Sequence, residues 1–178
     1  MTTLLLVRHG ETDWNADGRL QGQTDRPLSD YGRRQARKLA EELEGEELEA
    51  IYSSDLARAR ETAEIVGERL GVPVELDPEL REKDWGTWEG LTAVERDRVE
   101  FVGESTQAHQ ERILGALRRI AERHPRDCRV LVVTHGGSMR RVQTAAMGMA
   151  LPVVENCGRW LCEVAGGTFR AVDQEVRR

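Results

Sequence analysis

Two aliphatic runs, each breaking into a histidine and a glycine, constrain this chain more than any other feature. The first is Leu4-Leu5-Leu6-Val7, which runs into Arg8-His9-Gly10; the second is Val130-Leu131-Val132-Val133-Thr134, which runs into His135-Gly136-Gly137. Apolar runs without alternation read as strands covered on both faces, the pattern of a parallel sheet between helical layers. The intervening segments supply those helices. One starts at Leu28-Ser29-Asp30 with Ser29 as N-cap, carries Ala36, Leu39, Ala40 and Leu43, and ends at Gly45. A strand at Ala50–Ser53 leads to a helix from near Asp55, with Leu56, Ala59, Ala63, Val66 and Leu70 on one face and Gly71 closing it. Short strand character follows at Val72–Leu76. A long helix spans Thr106–Arg123 with Ile113, Leu117 and Ile120 on one face, stopped by Pro125. Another runs from Ser138 to Met149, and Trp160–Val164 and Thr168–Val172 form a closing strand pair through Gly166-Gly167. Asp173–Arg178 is a polar end expected to fray. Glu11 to about Pro27 and Asp77–Gly103 read as irregular, and the first as a binding loop.

The pattern predicts one α/β domain over residues 1–178, a three-layer sandwich with a mostly parallel central sheet flanked by helices. Ligands of such sheets gather at the carboxyl ends of strands, which is where His9 and His135 both fall. The chain has 178 residues, a net charge of −6 and a pI near 5.4, which argues against a nucleic-acid partner. Met1–Val7 is too short for a signal peptide and no run reaches membrane length, so a cytoplasmic protein without membrane contact is expected. Cys128, Cys157 and Cys162 lack metal-ligand spacing and read as free thiols. A homodimer is a common outcome for soluble chains on base rates alone.

The residues at the two strand ends suit phosphoryl transfer, which needs charge neutralised on three oxygens, a nucleophile in line, and a proton for the leaving oxygen. Arg8 offers a planar fork of donors, His9 a nucleophile near neutral pH, and Gly10 a sharp turn. The stretch Leu6-Val7-Arg8-His9-Gly10-Glu11-Thr12-Asp13-Trp14-Asn15 resembles the signature of the histidine phosphatase superfamily, which includes the cofactor-dependent phosphoglycerate mutases and many phosphatases. Three further segments are similar to its motifs, in the family's order. Ser53-Ser54-Asp55-Leu56-Ala57-Arg58-Ala59-Arg60-Glu61-Thr62 implies that Arg58 points into the site and Arg60 into solvent. Leu80-Arg81-Glu82, followed by Gly86-Thr87-Trp88-Glu89-Gly90, implies that Glu82 is the general acid and later the base. Val133-Thr134-His135-Gly136-Gly137-Ser138-Met139-Arg140 carries the second histidine.

The resemblance implies a phosphoglycerate mutase-like fold and catalysis by His9, Arg8, Arg58, Glu82 and His135, with His9 carrying a phosphoryl group. Asn15, Gln21, Gly22 and Gly136 are expected to contact a small phosphorylated substrate. Asp84 rivals Glu82 by chemistry alone, and the acid role wants apolar cover such as Trp85 and Trp88 can give. No cofactor or metal is expected, since arginines stand where a cation is needed. His109 and His124 lie in no motif and read as surface helix residues, while Trp160 reads as core. Gly136-Gly137 is more similar to phosphatases than to mutases, which typically carry Gly-Asn there. Only Leu91–Val102 separates Gly90 from Gly103, too little for the mutases' basic lid, and Arg96 and Arg98 match its arginine pair poorly. The reading is a metal-independent phosphomonoesterase acting on small phosphorylated metabolites through a phosphohistidine. A phosphoglycerate mutase is the first alternative and a non-catalytic phosphoryl-ligand binding module the second.

Overall fold

A computed structural model describes residues 1–124, 127–149 and 152–172. The two aliphatic runs form the centre of its sheet. β1 (Thr2–Arg8) and β4 (Arg129–Thr134) lie side by side and parallel, in register from Thr3 opposite Arg129 to Arg8 opposite Thr134. β2 (Ala50–Ser53) extends the parallel set beside β4, and β3 (Val74–Leu76) closes that edge. On the other side β5 (Arg159–Ala165) runs antiparallel to β1 and turns back as β6 (Thr168–Ala171). The order across the sheet is β3-β2-β4-β1-β5-β6.

Both faces are covered, which is why the central strands show no polar alternation. Leu4, Leu6, Val130 and Val132 pack with Trp160 against α5 (Thr106–Arg123) and α6 (Gly136–Met147). Leu5, Val7, Leu131 and Val133 pack against α2 (Asp30–Glu42) and α3 (Ala57–Leu70). Each such side chain contributes roughly 1.5–3 kcal/mol by leaving water. The result is the expected three-layer sandwich with a mostly parallel sheet. Among the described residues no helix is long and apolar enough to cross a membrane.

Several element ends differ from the sequence expectation. α2 ends at Glu42 rather than at Gly45. α3 begins at Ala57 rather than Asp55, because both carboxylate oxygens of Asp55 are taken by the Arg81 fork at 2.7 and 2.6 Å. β3 starts at Val74 rather than Val72. α6 begins two residues early, since His135 is itself the extended N-cap that ends β4. The loop after β1 holds one helical turn, α1 (Asp13–Ala16), closed by a reciprocal cap between Thr12 and Asn15. Residues 77–103 hold two 3-10 turns, Pro78–Leu80 and Gly86–Trp88, and the single turn α4 (Ala93–Arg96). Gly71 closes α3 in the left-handed conformation, as expected. The Pro125 stop and the frayed end at Asp173–Arg178 lie outside the described residues.

α2 is docked on the loop that follows β1. Ser29 N donates to the Glu11 carbonyl at 2.8 Å, and Ser29 Oγ caps Gly32 N at 3.0 Å. A Cβ on Gly32 would collide with the Glu11 carbonyl oxygen. Gly32→Ala should therefore lose about 1–3 kcal/mol through overpacking, against about 1 kcal/mol for loss of the cap in Ser29→Ala. Urea denaturation of the two variants decides this. A Gly32→Ala protein as stable as wild type would mean that α2 is not seated there.

Candidate active site

Three strand ends form the floor of the site. The hydrogen-bond ladder continues one residue past β1 and β2, with His9 N donating to Thr134 O at 3.0 Å and Ser54 N to Val133 O at 3.1 Å. His9 and His135 thus become neighbours, their ring centroids 5.2 Å apart and their planes tilted by 60°.

The Nδ1 atom of His9 lies 2.7 Å from the Gly10 carbonyl. A carbonyl only accepts, so Nδ1 carries the hydrogen and Nε2 keeps a free lone pair. The His9 carbonyl accepts from Asn156 Nδ2 at 3.0 Å, and Gly10 N donates to Thr62 Oγ1 at 3.0 Å, so the turn is fixed on both sides. Burial, reinforced by the Arg58 and Arg8 cations, pulls this imidazole well below the usual histidine value. His135 is pulled the same way, by burial first and then by Arg58. Its Nε2 is 2.9 Å from Ser54 Oγ, while its Nδ1 is buried without a partner. Ser54 Oγ accepts from Leu56 N at 3.3 Å and keeps its own hydrogen for donation; with that hydrogen given to Nε2, Nδ1 is a donor without a partner.

Arg8 donates to Val154 O at 2.8 Å, and Arg58 donates to Thr24 O and Gly22 O at 3.0 and 2.6 Å. Both cations are anchored by carbonyl oxygens rather than carboxylates, and the Nε of each is buried with no partner. Burial lowers both, Arg58 to about 10, with the Glu82 carboxylate opposing. Neither loses its charge at neutral pH. The loop that holds Arg58 is itself stapled by Glu89, which accepts from Gln23 N and Thr24 N, both at 2.8 Å, from Trp85 N at 3.1 Å, and from the Thr24 hydroxyl. Gly22 has a φ of +55°, and any Cβ there would strike the Glu89 carboxylate.

Glu82 accepts from Lys83 N and from Gly137 N, both at 2.8 Å, the second at the positive end of α6. Asp84 turns away into its own loop, capping Gly86 N at 2.8 Å. Trp85 and Trp88 stack on each other at 6.1 Å, meet Phe101, and hold the Lys83 ammonium 4.2 Å from the Trp85 ring. The 79–82 backbone is fixed by Arg112, which reaches the carbonyls of Glu79, Arg81 and Glu82 at 2.8, 2.9 and 3.1 Å.

Arg8, His9, Arg58, Glu82 and His135 are thus gathered, with Gly136 against the Arg8 side chain. Gln21 is buried beside Gly22, its Oε1 without a partner. Asn15 turns its amide oxygen to Thr12 and to Asn156, at 3.2 Å each, and so braces the loop. His109 is not on the surface. It is 2% exposed, with Nε2 2.9 Å from Ser138 Oγ and 3.7 Å from Glu82 Oε1. Its spacing explains this: one turn before Ile113, it extends the same apolar stripe as Leu117 and Ile120. His124 is half-buried, its Nε2 3.0 Å from the Tyr52 hydroxyl. None of the three cysteines is in a disulfide, and the described residues contain no cluster of three or more His, Cys, Asp or Glu placed to hold a metal.

The sequence matches the histidine phosphatase superfamily (branch 1) over residues 4–175. The chain belongs to that superfamily. The phosphatase PhoE of Bacillus subtilis is 37% identical over 153 residues, 83% of this chain and 79% of that one. The metal-independent phosphoserine phosphatase of Arabidopsis thaliana is 38% identical over 161 residues, 80% of this chain and 67% of that one. Among solved superfamily structures, a mycobacterial glucosyl-3-phosphoglycerate phosphatase complexed with VO3 superposes with a TM-score of 0.87 at 29% identity, covering 97% of this chain and 98% of that one. Mutase names occur at comparable identity, as in the phosphoglycerate mutase-like protein 4 of Arabidopsis thaliana at 37% over 169 residues, 84% of this chain and 73% of that one.

Within this superfamily site, the buried histidines set an acid limit on stability. His9, His109 and His135 all titrate below 6.5 in the folded chain, burial being the first cause in each. The unfolded chain therefore binds protons that the folded one refuses. Stability should be complete above about pH 6.5 and fall as pH drops below it, by up to about 1.4 kcal/mol per pH unit per histidine. Urea midpoints between about pH 5 and 7, above the carboxylate range, measure this slope. A flat profile there would show that the histidines are hydrated.

Proposed function

We propose that this protein is a metal-independent phosphomonoesterase of small phosphorylated metabolites, acting through a phosphohistidine on His9. The observation that carries the reading is the set of buried, unpartnered donors around a neutral imidazole: Arg8 Nε, Arg58 Nε and His135 Nδ1. Leaving buried donors empty costs about 1–3 kcal/mol each, a cost that a phosphoryl group entering among them removes. His9 Nε2 attacks phosphorus, the N–P bond forms as the ester P–O bond breaks, and Glu82 gives its proton to the departing oxygen. Water then attacks phosphorus, Glu82 takes a proton from it, and the N–P bond breaks to return the lone pair to Nε2 and release phosphate. Ser54 serves as the group that keeps His135 a donor, and Gln21, Gly22 and Gly136 line the approach.

Two observations favour hydrolysis over phosphoryl migration. Between Gly90 and Gly103 the chain makes one helical turn, and Arg96 lies over the Trp88 ring, 5.6 Å from its centroid. A segment this short, with its arginine engaged by Trp88, cannot form the lid by which a mutase excludes water from its phosphoenzyme. The relatives named for phosphoserine and glucosyl-3-phosphoglycerate support phosphorylated hydroxy compounds as the substrate class. Three cysteines outside any disulfide fit a reducing, cytoplasmic setting.

The proton role of Glu82 tests the reading. Alkoxide leaving groups need a proton and a nitrophenolate does not, so Glu82→Gln should slow single-turnover phosphorylation by phosphoserine by about 10²–10⁴-fold. Nitrophenyl phosphate should lose far less. Equal losses would remove Glu82 as the acid. Activity should also persist in excess chelator, and loss restored by a divalent cation would refute metal independence.

A further inference from the structure

The orientation of His9 depends on a glycine turn, and such a turn does not hold itself. A Cβ on Gly10 would come within 2.6 Å of the Gly32 carbonyl oxygen, so the position requires glycine. Glycine in turn leaves the peptides on both sides of it free to swing. The carbonyl that fixes His9 Nδ1 belongs to one of them, the peptide joining Gly10 to Glu11. Two side chains from different helices grip the turn, one on each side of the glycine. On α3, Thr62 Oγ1 accepts from Gly10 N at 3.0 Å; on α2, Gln35 Oε1 accepts from Glu11 N at 2.9 Å. Thr62 is fully buried, and its own hydrogen goes to the Arg58 carbonyl at 2.7 Å, the back-bond common to helical threonines. That bond satisfies the hydroxyl as a donor and leaves its oxygen to receive the amide of the turn. The His9 carbonyl, one peptide earlier, is held by Asn156 Nδ2 at 3.0 Å.

We propose that Gln35 and Thr62 are positioning residues for the nucleophile: by holding the amides on both sides of Gly10 they aim its carbonyl at His9 Nδ1 and so keep Nε2 the free nitrogen. The inference rests on His9 being the nucleophile. A neutral imidazole has two tautomers, and only one leaves a lone pair on Nε2. With either amide released, the turn rotates about Gly10 and carries the carbonyl away from Nδ1. The hydrogen is then free to sit on Nε2, where it blocks attack on phosphorus. The donors that await the phosphoryl group are Arg8, Arg58 and His135, so the effect falls on the chemical step rather than on anion binding.

Ring spectra and single turnovers test this together. The chain has four histidines, so the nitrogen-15 ring signals of His9 are assigned by their loss in His9→Ala. At neutral pH, where burial keeps the imidazole uncharged, wild type should show the hydrogen on Nδ1. Gln35→Leu and Thr62→Val, which keep the bulk and lose the acceptor, should shift part of the population to the Nε2–H form. Gln35→Glu and Thr62→Ser, which keep an acceptor oxygen, should return the wild-type signals. Single-turnover phosphorylation of the two acceptor-free variants should slow by about 10²-fold, equally with phosphoserine and nitrophenyl phosphate, while inhibition by inorganic phosphate is little changed. Wild-type ring signals in both acceptor-free variants would overturn the proposal, as would a loss confined to phosphate affinity with the saturating rate intact. If wild type carries no N-linked phosphoryl group during turnover, the nucleophile reading has failed, and the ring spectra still decide whether Gln35 and Thr62 set the tautomer. Should Thr62→Val not fold, the half-buried Gln35 carries the test through its own pair of variants.

Discussion

The parallel pairing of β1 with β4 is the constraint on which the rest depends. Because Arg8 stands opposite Thr134, the next residue of each strand is a histidine, and the bond from His9 N to Thr134 O carries the ladder into the site. The backbone N–H groups of His9 and Ser54 are already satisfied there by sheet hydrogen bonds. The aliphatic residues that enforce this register are buried on both faces of the sheet. A shift of one residue would turn each of them to the opposite face. Register, core and histidine placement are therefore one condition rather than three.

The site concentrates positive charge that the fold does not neutralise. Arg58 is 1% exposed and is held by two carbonyls, with Glu89 fixing the loop that supplies them. Such an arrangement is costly in the empty protein and is preorganised for an anion, which is how electrostatic catalysis of phosphoryl transfer works. It also explains why both floor histidines are neutral. The cations and the loss of water both oppose protonation, and a neutral imidazole is what a nucleophile requires.

The architecture was legible because its signals are continuous. Unalternated runs at Leu4–Val7 and Val130–Val133, and three- and four-residue spacing in the α5 segment, fixed strands, layers and helix faces. The five central site residues were legible through motif resemblance, since Glu82 or Arg58 alone is indistinguishable from a surface residue. What escaped was the support beneath them. Arg112, Glu89 and Ser138 act on backbone atoms and buried carboxylates far away in sequence, and no local pattern announces such contacts. His109 is different: the stripe through Ile113 and Leu117, extended back one turn, already pointed inward. A polar residue on an apolar stripe was read by its type rather than its place. Thr12 and Asn15 show the same error in a loop, where a capping pair hid a helical turn.

The central claim is that His9 Nε2, kept free by the bond from Nδ1 to the Gly10 carbonyl, takes the phosphoryl group. Rapid quenching of turnover into base, followed by phosphorus NMR and peptide mapping, tests it most directly. The account predicts an acid-labile, base-stable phosphoramidate on the peptide carrying His9, formed at the rate of the first chemical step and absent from His9→Ala. Active turnover with no N-linked phosphoryl group at any time, and with phosphate released directly, would contradict it.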